Sequence, residues 1–183
     1  MATNVGASML QPPGTPAPQA TEDEDRSSWL ADPETLLLVE DDPGDSLLVE
    51  ELIADSGMTA TLTWVRSLAE AKSVLAGAGI PGCVLLDLHL PDALGMESVR
   101  QVIAASPAAP VVVLTGLAEE GAGLAAVAAG AQDYLIKGQS PPDVFRRAIR
   151  YAAQRKHVEQ ASAALQRSEL QAEENARLER GLL

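Results

Sequence analysis

The feature that most constrains this chain is an alternation of short apolar runs with longer, helix-like stretches. From Glu34 onward, runs at 35–39, 61–65, 84–87, 111–115 and 133–136 are each followed by a helical pattern, at 45–56, 67–76, 95–105, 119–129 and from 142. Five βα units of this length call for a doubly wound parallel sheet with helices on both faces. The runs "CVLL" and "VVVL" agree, being continuously apolar as strands covered on both sides are. Ligands of such sheets bind beyond the carboxyl ends of the strands, where the strand order reverses, so function should lie in what stands at those ends.

After the first strand come Glu40, Asp41 and Asp42, closed off by Pro43 and Gly44; after the third comes Asp87; after the fourth, Thr115 and Gly116; after the fifth, Lys137. Each has an ordinary explanation taken singly: Asp41 or Asp42 as a helix cap, Asp87 in a turn, Thr115 as strand, Lys137 as a solvated end. Together they place acids, a hydroxyl and an ammonium around one crevice, the convergence that marks a site. Carboxylates packed this closely repel one another unless a cation sits among them.

Composition bounds the rest. The 183 residues suffice for one domain with an appendage, and 46% hydrophobic content supports a real core. The single cysteine, Cys83, excludes an internal disulfide and reads as a small core residue. With neither a signal-like leader nor an eighteen-residue apolar run in the sequence, a cytoplasmic protein with no membrane partner is expected. The net charge of −13 is uneven: residues 1–136 carry 4 basic and 20 acidic side chains, and residues 137–183 carry 9 and 6. An acidic body repels phosphate backbones, so no nucleic-acid partner is expected. Residues 1–33, rich in proline, alanine and acids, read as a disordered segment.

"LLDLHLPDALG" has Asp87 with Pro91 four residues on and Gly95 eight residues on, "VVLTG" ends a strand in Thr115 and a small residue, and "DYLIK" sets Tyr134 three residues before Lys137. These motifs resemble the receiver domain of two-component response regulators. The resemblance implies a flavodoxin-like fold over 34–141 and phosphorylation of Asp87 by a sensor histidine kinase. It further implies Mg²⁺ held by Asp42 and Asp87 with Asp41 acting through water, and by the backbone carbonyl of His89, with Glu40 only flanking the site. Hard oxygen donors suit that ion. Lys137 and Thr115 would bind the phosphoryl oxygens, and Tyr134 would move with Thr115 to report the phosphorylation state. Gly138 replaces the proline that usually follows the lysine, so a looser loop without a cis bond is expected there. Leu117 cannot align a hydrolytic water, which implies a long-lived adduct. A binding module that needs no phosphorylation is the alternative. A hydrolase of the haloacid dehalogenase type needs an acid two residues past the nucleophile, where His89 stands.

The tail carries a second signal. Between Asp143 and Arg180 there is neither proline nor glycine, which predicts one helix over 142–180, far longer than the domain needs, ahead of a short remainder at 181–183. Val158, Ala161, Leu165, Ser168, Ala172 and Asn175 fall at alternating three- and four-residue steps, the seam of a thin, parallel coiled-coil dimer; a single solvated helix is the alternative. Receivers with a "KGQ" loop and such an extension resemble those fused to a PPM-type serine/threonine phosphatase, which implies an output domain outside this sequence.

Overall fold

The computed structural model describes residues 31–77, 79–116 and 120–181. Its elements follow in the order β1 (Thr35–Val39), α1 (Pro43–Asp55), β2 (Thr61–Val65), α2 (Leu68–Gly77), β3 (Cys83–Asp87), the two-residue strands β4 (His89–Leu90) and β5 (Ala93–Leu94), α3 (Met96–Ala105), β6 (Val111–Thr115), α4 (Glu120–Ala128), β7 (Asp133–Ile136) and α5 (Pro142–Gly181). Five strands form one sheet in the order β2-β1-β3-β6-β7, every neighbouring pair parallel. The chain steps outward from β1 to β2 and then returns across β1 to β3, so the strand order reverses at β1 and β3. The doubly wound sheet and the extended last helix are therefore as the sequence predicts.

Side chains of a strand alternate between faces, and the core divides accordingly. Leu37, Val39, Val84, Leu86, Val111 and Val113 pack with Leu68, Ala71 and Leu75 of α2, Val99 and Val102 of α3 and Ala126 of α4. Leu36, Leu38, Leu85, Val112, Leu114 and Leu135 turn the other way, onto Val49 and Ile53 of α1 and Phe145, Ala148, Ile149 and Ala152 of α5. This two-sided burial is why β1, β3 and β6 read as unbroken apolar runs. Cys83 is fully buried at the start of β3, and burial pushes its thiol up to about 12, so it behaves as an inert core residue.

Most element bounds fall within a residue of expectation, and two features depart further, for local reasons. Helix α1 begins at Pro43 rather than at 45, because proline's fixed φ suits the first helical position and Asp42 caps the turn before it. The segment after Asp87 is a small antiparallel hairpin, His89↔Leu94 and Leu90↔Ala93, in a stretch to which the sequence reading assigned no element. Asp92 at its tip reaches back to α2, its carboxylate accepting from the amides of Leu68 and Ala69 at 2.9 Å each. What burial it has works against the charge, but those two amides outweigh it and hold the Asp92 carboxyl below its usual range. The hairpin is thus pinned to the neighbouring helix, which fixes the backbone just past Asp87.

Helix α5 runs for 40 residues. Phe145, Ile149 and Ala152 anchor its first turns in the core, and Gln160 Nε2 donates to the Ala108 carbonyl at 2.6 Å as the helix leaves the body. From His157 onward its described side chains are exposed, including Val158, Leu165, Leu170 and Leu178. No helix among the described residues is long and apolar enough to cross a membrane. The segment 1–30 and Leu117, for which disorder and a role in adduct lifetime were expected, lie outside the described residues.

Candidate functional site

Register brings the strand ends level. Val39 pairs with Leu86, Asp87 with Leu114 and Thr115 with Ile136, so Glu40, Asp87, Thr115 and Lys137 emerge side by side at one edge of the sheet. The Lys137 amide bonds the Thr115 carbonyl at 2.8 Å and extends the β6–β7 pairing to the site itself.

The Lys137 ammonium is the centre of the cluster. It lies 2.6 Å from Glu40 Oε2, 2.7 Å from Asp45 Oδ2 and 2.8 Å from Asp87 Oδ1. Glu40 and Asp87 are almost wholly buried, at 1% and 4% exposure, so each needs its charge answered locally. Their remaining oxygens are answered as well: Glu40 Oε1 accepts from the Asp42 amide at 3.1 Å and Asp87 Oδ2 from the His89 amide at 2.9 Å. Burial pushes the Glu40 carboxyl above its ordinary value, aided by the Asp87 charge and opposed by the hydrogen bond from Lys137. For Lys137, burial disfavours the charge, but the hydrogen bonds to Asp45, Asp87 and Glu40 prevail and raise its pKa, so it is an ammonium at any physiological pH.

The acidic residues after β1 take distinct places. Oxygens of Glu40, Asp41 and Asp87 lie within 4.8 Å of one another, a set of hard donors of the kind divalent cations use. Asp42, expected among the ligands, is spent on the helix: its Oδ1 accepts from the amides of Gly44 at 2.6 Å and Asp45 at 3.1 Å. This cap role, and a place outside that set of oxygens, separate Asp42 from Asp41. Glu40, expected only to flank the site, is its most buried acid. The His89 side chain is exposed, while its amide donates to Asp87.

Thr115 is fully buried and its Oγ1 has no hydrogen-bond partner among the described residues. A hydroxyl in that state costs stability unless something occupies the space it faces. Tyr134, half-buried on β7, lies flat against Gly123 of α4, where a Cβ would collide with its ring. The glycine makes room for the aromatic at that position.

Three contributors went unread in the sequence. Trp64 Nε1 donates to the Glu40 carbonyl at 2.7 Å and Arg66 Nη2 to the Asp41 carbonyl at 2.9 Å, with the guanidinium 5.7 Å from the indole centroid. These two side chains from the end of β2 clamp consecutive carbonyls of the acidic loop. Asp45, the third partner of Lys137, gives only the signal of an acid in a first helical turn.

Comparison with known proteins follows the same line. The family model of the response regulator receiver domain matches residues 36–149. The transcriptional regulatory protein CreB of Escherichia coli K12 is 36% identical over 114 residues, 62% of this chain and 48% of that protein. The KDP operon transcriptional regulatory protein KdpE of the same strain is 36% identical over 104 residues, 56% and 44% respectively, so the chain spans about half the length of these relatives. Among solved structures, the receiver domain of a sensor histidine kinase from Pseudomonas aeruginosa PAO1, with a magnesium ion coordinated in its active-site cleft, is 26% identical with a TM-score of 0.54, covering 65% of this chain and 97% of that one. On its fold, on the motifs at its strand ends and on a family match over more than half its length, this chain belongs to the response regulator receiver family.

Proposed function

We propose that this chain is a phosphorylatable signalling module in which Asp87 accepts a phosphoryl group from a sensor histidine kinase. The observation that carries this reading is the Lys137 ammonium held 2.8 Å from Asp87, level with a buried Thr115 hydroxyl that has no partner among the described residues. A phosphoryl oxygen at that spot would supply what Thr115 lacks and would find the ammonium already in reach. In the transfer, an Asp87 oxygen attacks phosphorus, the bond from phosphorus to the donor's nitrogen breaks, and the donor leaves with the electron pair.

Glu40, Asp41 and Asp87, with the His89 carbonyl, would hold Mg²⁺; when bound, the ion neutralises the charge that otherwise keeps a carboxylate and a phosphoryl group apart. The acid set fits that ion, being all hard oxygen. The protein's own part is orientation. The His89 amide and the Lys137 ammonium fix the Asp87 carboxylate, and the Trp64–Arg66 clamp fixes the loop that carries Glu40 and Asp41. Movement of Thr115 toward the phosphoryl group would open space for Tyr134, whose ring rests on Gly123, and so carry the change to the α4–β7–α5 face.

The signal would leave along α5. Val158, Ala161, Leu165, Ser168, Ala172 and Asn175 are all exposed and follow the heptad steps of a dimer seam. Tyr151, 47% exposed seven residues before Val158, prolongs the stripe to the root of the helix. We place a homodimer there, delivering two carboxyl ends to an output domain, for which a serine/threonine phosphatase is our reading.

Three outcomes test these assignments. With Mg²⁺ and acetyl phosphate, intact mass should show one phosphoryl adduct on the wild-type chain and none on Asp87→Asn; a variant labelled like wild type removes Asp87 from its role, and an unlabelled wild type favours the phosphorylation-independent interaction module. Asp41→Asn should weaken Mg²⁺ binding by about tenfold or more, the scale on which metal-site carboxylates act. Asp42→Asn, which keeps a good cap, should leave that affinity near wild type, and Asp42→Ala should cost about 1 kcal/mol of stability. Equal losses of Mg²⁺ affinity in both asparagine variants would contradict the separation of the two acids. Light scattering should give a dimer for the full chain, and monomers for Leu165→Asp and for a version ending at Tyr151; one common mass for all three across micromolar concentrations would end the coiled-coil reading.

A further inference from the structure

An ammonium has three N–H donors, and on Lys137 three carboxylates take them: Glu40, Asp45 and Asp87. A phosphoryl group on Asp87 brings oxygens that also need this ammonium, so one existing contact has to give way. Burial decides which. Glu40 has a side chain 1% exposed, and releasing it would strand a buried anion. Asp87 gives up its own carboxylate charge on phosphorylation, but a phosphoryl group bearing about −1.5 to −2 charges asks for more of the ammonium than that one place. The Asp45 side chain is 35% exposed, and water can take over its oxygens at small cost.

Asp45 also has somewhere to rest. It lies in the first turn of α1, whose amino end favours a negative charge with or without Lys137. Once released, its carboxylate would remain close to a phosphoryl group bearing about −1.5 to −2 charges, and like charges at that range repel.

We propose that Asp45 is a positioning residue for the chemistry at Asp87. It holds Lys137 while the site is unphosphorylated and must surrender it to the phosphoryl oxygens, so it slows phosphorylation and shortens the life of the adduct. This inference rests on Asp87 being the acceptor. In the first step an Asp87 oxygen bonds to phosphorus and the bond to the donor's oxygen or nitrogen breaks. In the second, a water oxygen bonds to the same phosphorus, the aspartyl oxygen leaves with its electron pair, and inorganic phosphate and a proton are released. Asp45 takes part in neither exchange of bonds; it sets how much of Lys137 is free to stabilise the phosphoryl adduct, which favours its formation and opposes its loss. A role confined to the helix dipole would give Asp45 an effect on stability and none on either rate.

The test uses the full chain with Mg²⁺, in wild type, Asp45→Asn and Glu51→Gln, the last being an exposed acid of the same helix that is not a partner of Lys137. Labelling by acetyl phosphate and its decay after donor removal are followed by intact mass; beryllofluoride, a phosphoryl mimic, is titrated by calorimetry; thermal midpoints are recorded alongside. Asp45→Asn should label roughly threefold faster, lose its label more slowly by a similar factor and bind beryllofluoride more tightly, on the scale of one partly exposed ion pair. Glu51→Gln should match wild type. An Asp45→Asn protein with wild-type labelling, decay and beryllofluoride affinity, whether or not its thermal midpoint falls, overturns the inference and leaves the Asp87 assignment intact. Equal effects in both variants overturn it in favour of general charge. A wild-type chain that takes no phosphoryl group removes the Asp87 assignment, and this inference with it.

Discussion

Everything at the carboxyl edge of the sheet depends on one ammonium answering several carboxylates. Two like charges 4 Å apart repel by about 4 kcal/mol in surroundings of intermediate polarity, so Glu40 and Asp87, both nearly sealed from water, could not share this corner without a cation. Lys137 reaches both within hydrogen-bonding distance and adds Asp45 from the rim. The remaining oxygens of the two buried acids go to backbone amides of Asp42 and His89. A pocket so balanced can exchange one charge for another: a cation beside the acids, or a phosphoryl group beside the lysine, changes partners within an existing network rather than creating charge in a dry interior.

The scaffold's contribution is alignment. Parallel pairing in matched register sets the ends of β1, β3, β6 and β7 at one height, and helices on both faces make the strands too apolar to slip. Around that rigid edge, local devices hold the loops. Asp42 caps α1, Asp92 pins the hairpin after Asp87 to α2, and Trp64 and Arg66 hold two carbonyls of the acidic loop from the side. The contrast between Asp41 and Asp42 shows how fine the division is: adjacent carboxylates, one turned to its fellow acids and one to a helix.

How much of this was legible depends on the kind of signal. The sheet could be read because burial on both faces leaves long apolar runs, and Asp87, Thr115 and Lys137 because strand ends in such a fold converge. The cap role of Asp42 was hidden for the opposite reason. A carboxylate before Pro-Gly serves equally well as ligand or cap in a one-dimensional reading, and only the amides of Gly44 and Asp45 reveal the cap. Asp45, Trp64 and Arg66 act through partners 92, 24 and 25 residues away, and no local pattern encodes such contacts. Gly123 is intelligible only once the Tyr134 ring is seen to need its space.

The central claim, that Lys137 supplies the positive charge the buried acids require, is tested most directly by the thermal stability of Lys137→Met as a function of Mg²⁺. Methionine keeps the length and apolar character of the stem and removes only the charge. Without divalent cation the variant should melt several degrees below wild type, of the order expected from about 1–2 kcal/mol in a domain of this size. Millimolar Mg²⁺ should then stabilise it more than it stabilises wild type, because the ion replaces a missing charge. A variant that melts with wild type and gains no more from Mg²⁺ would contradict the account, for the acids would then be shown to tolerate one another without the ammonium.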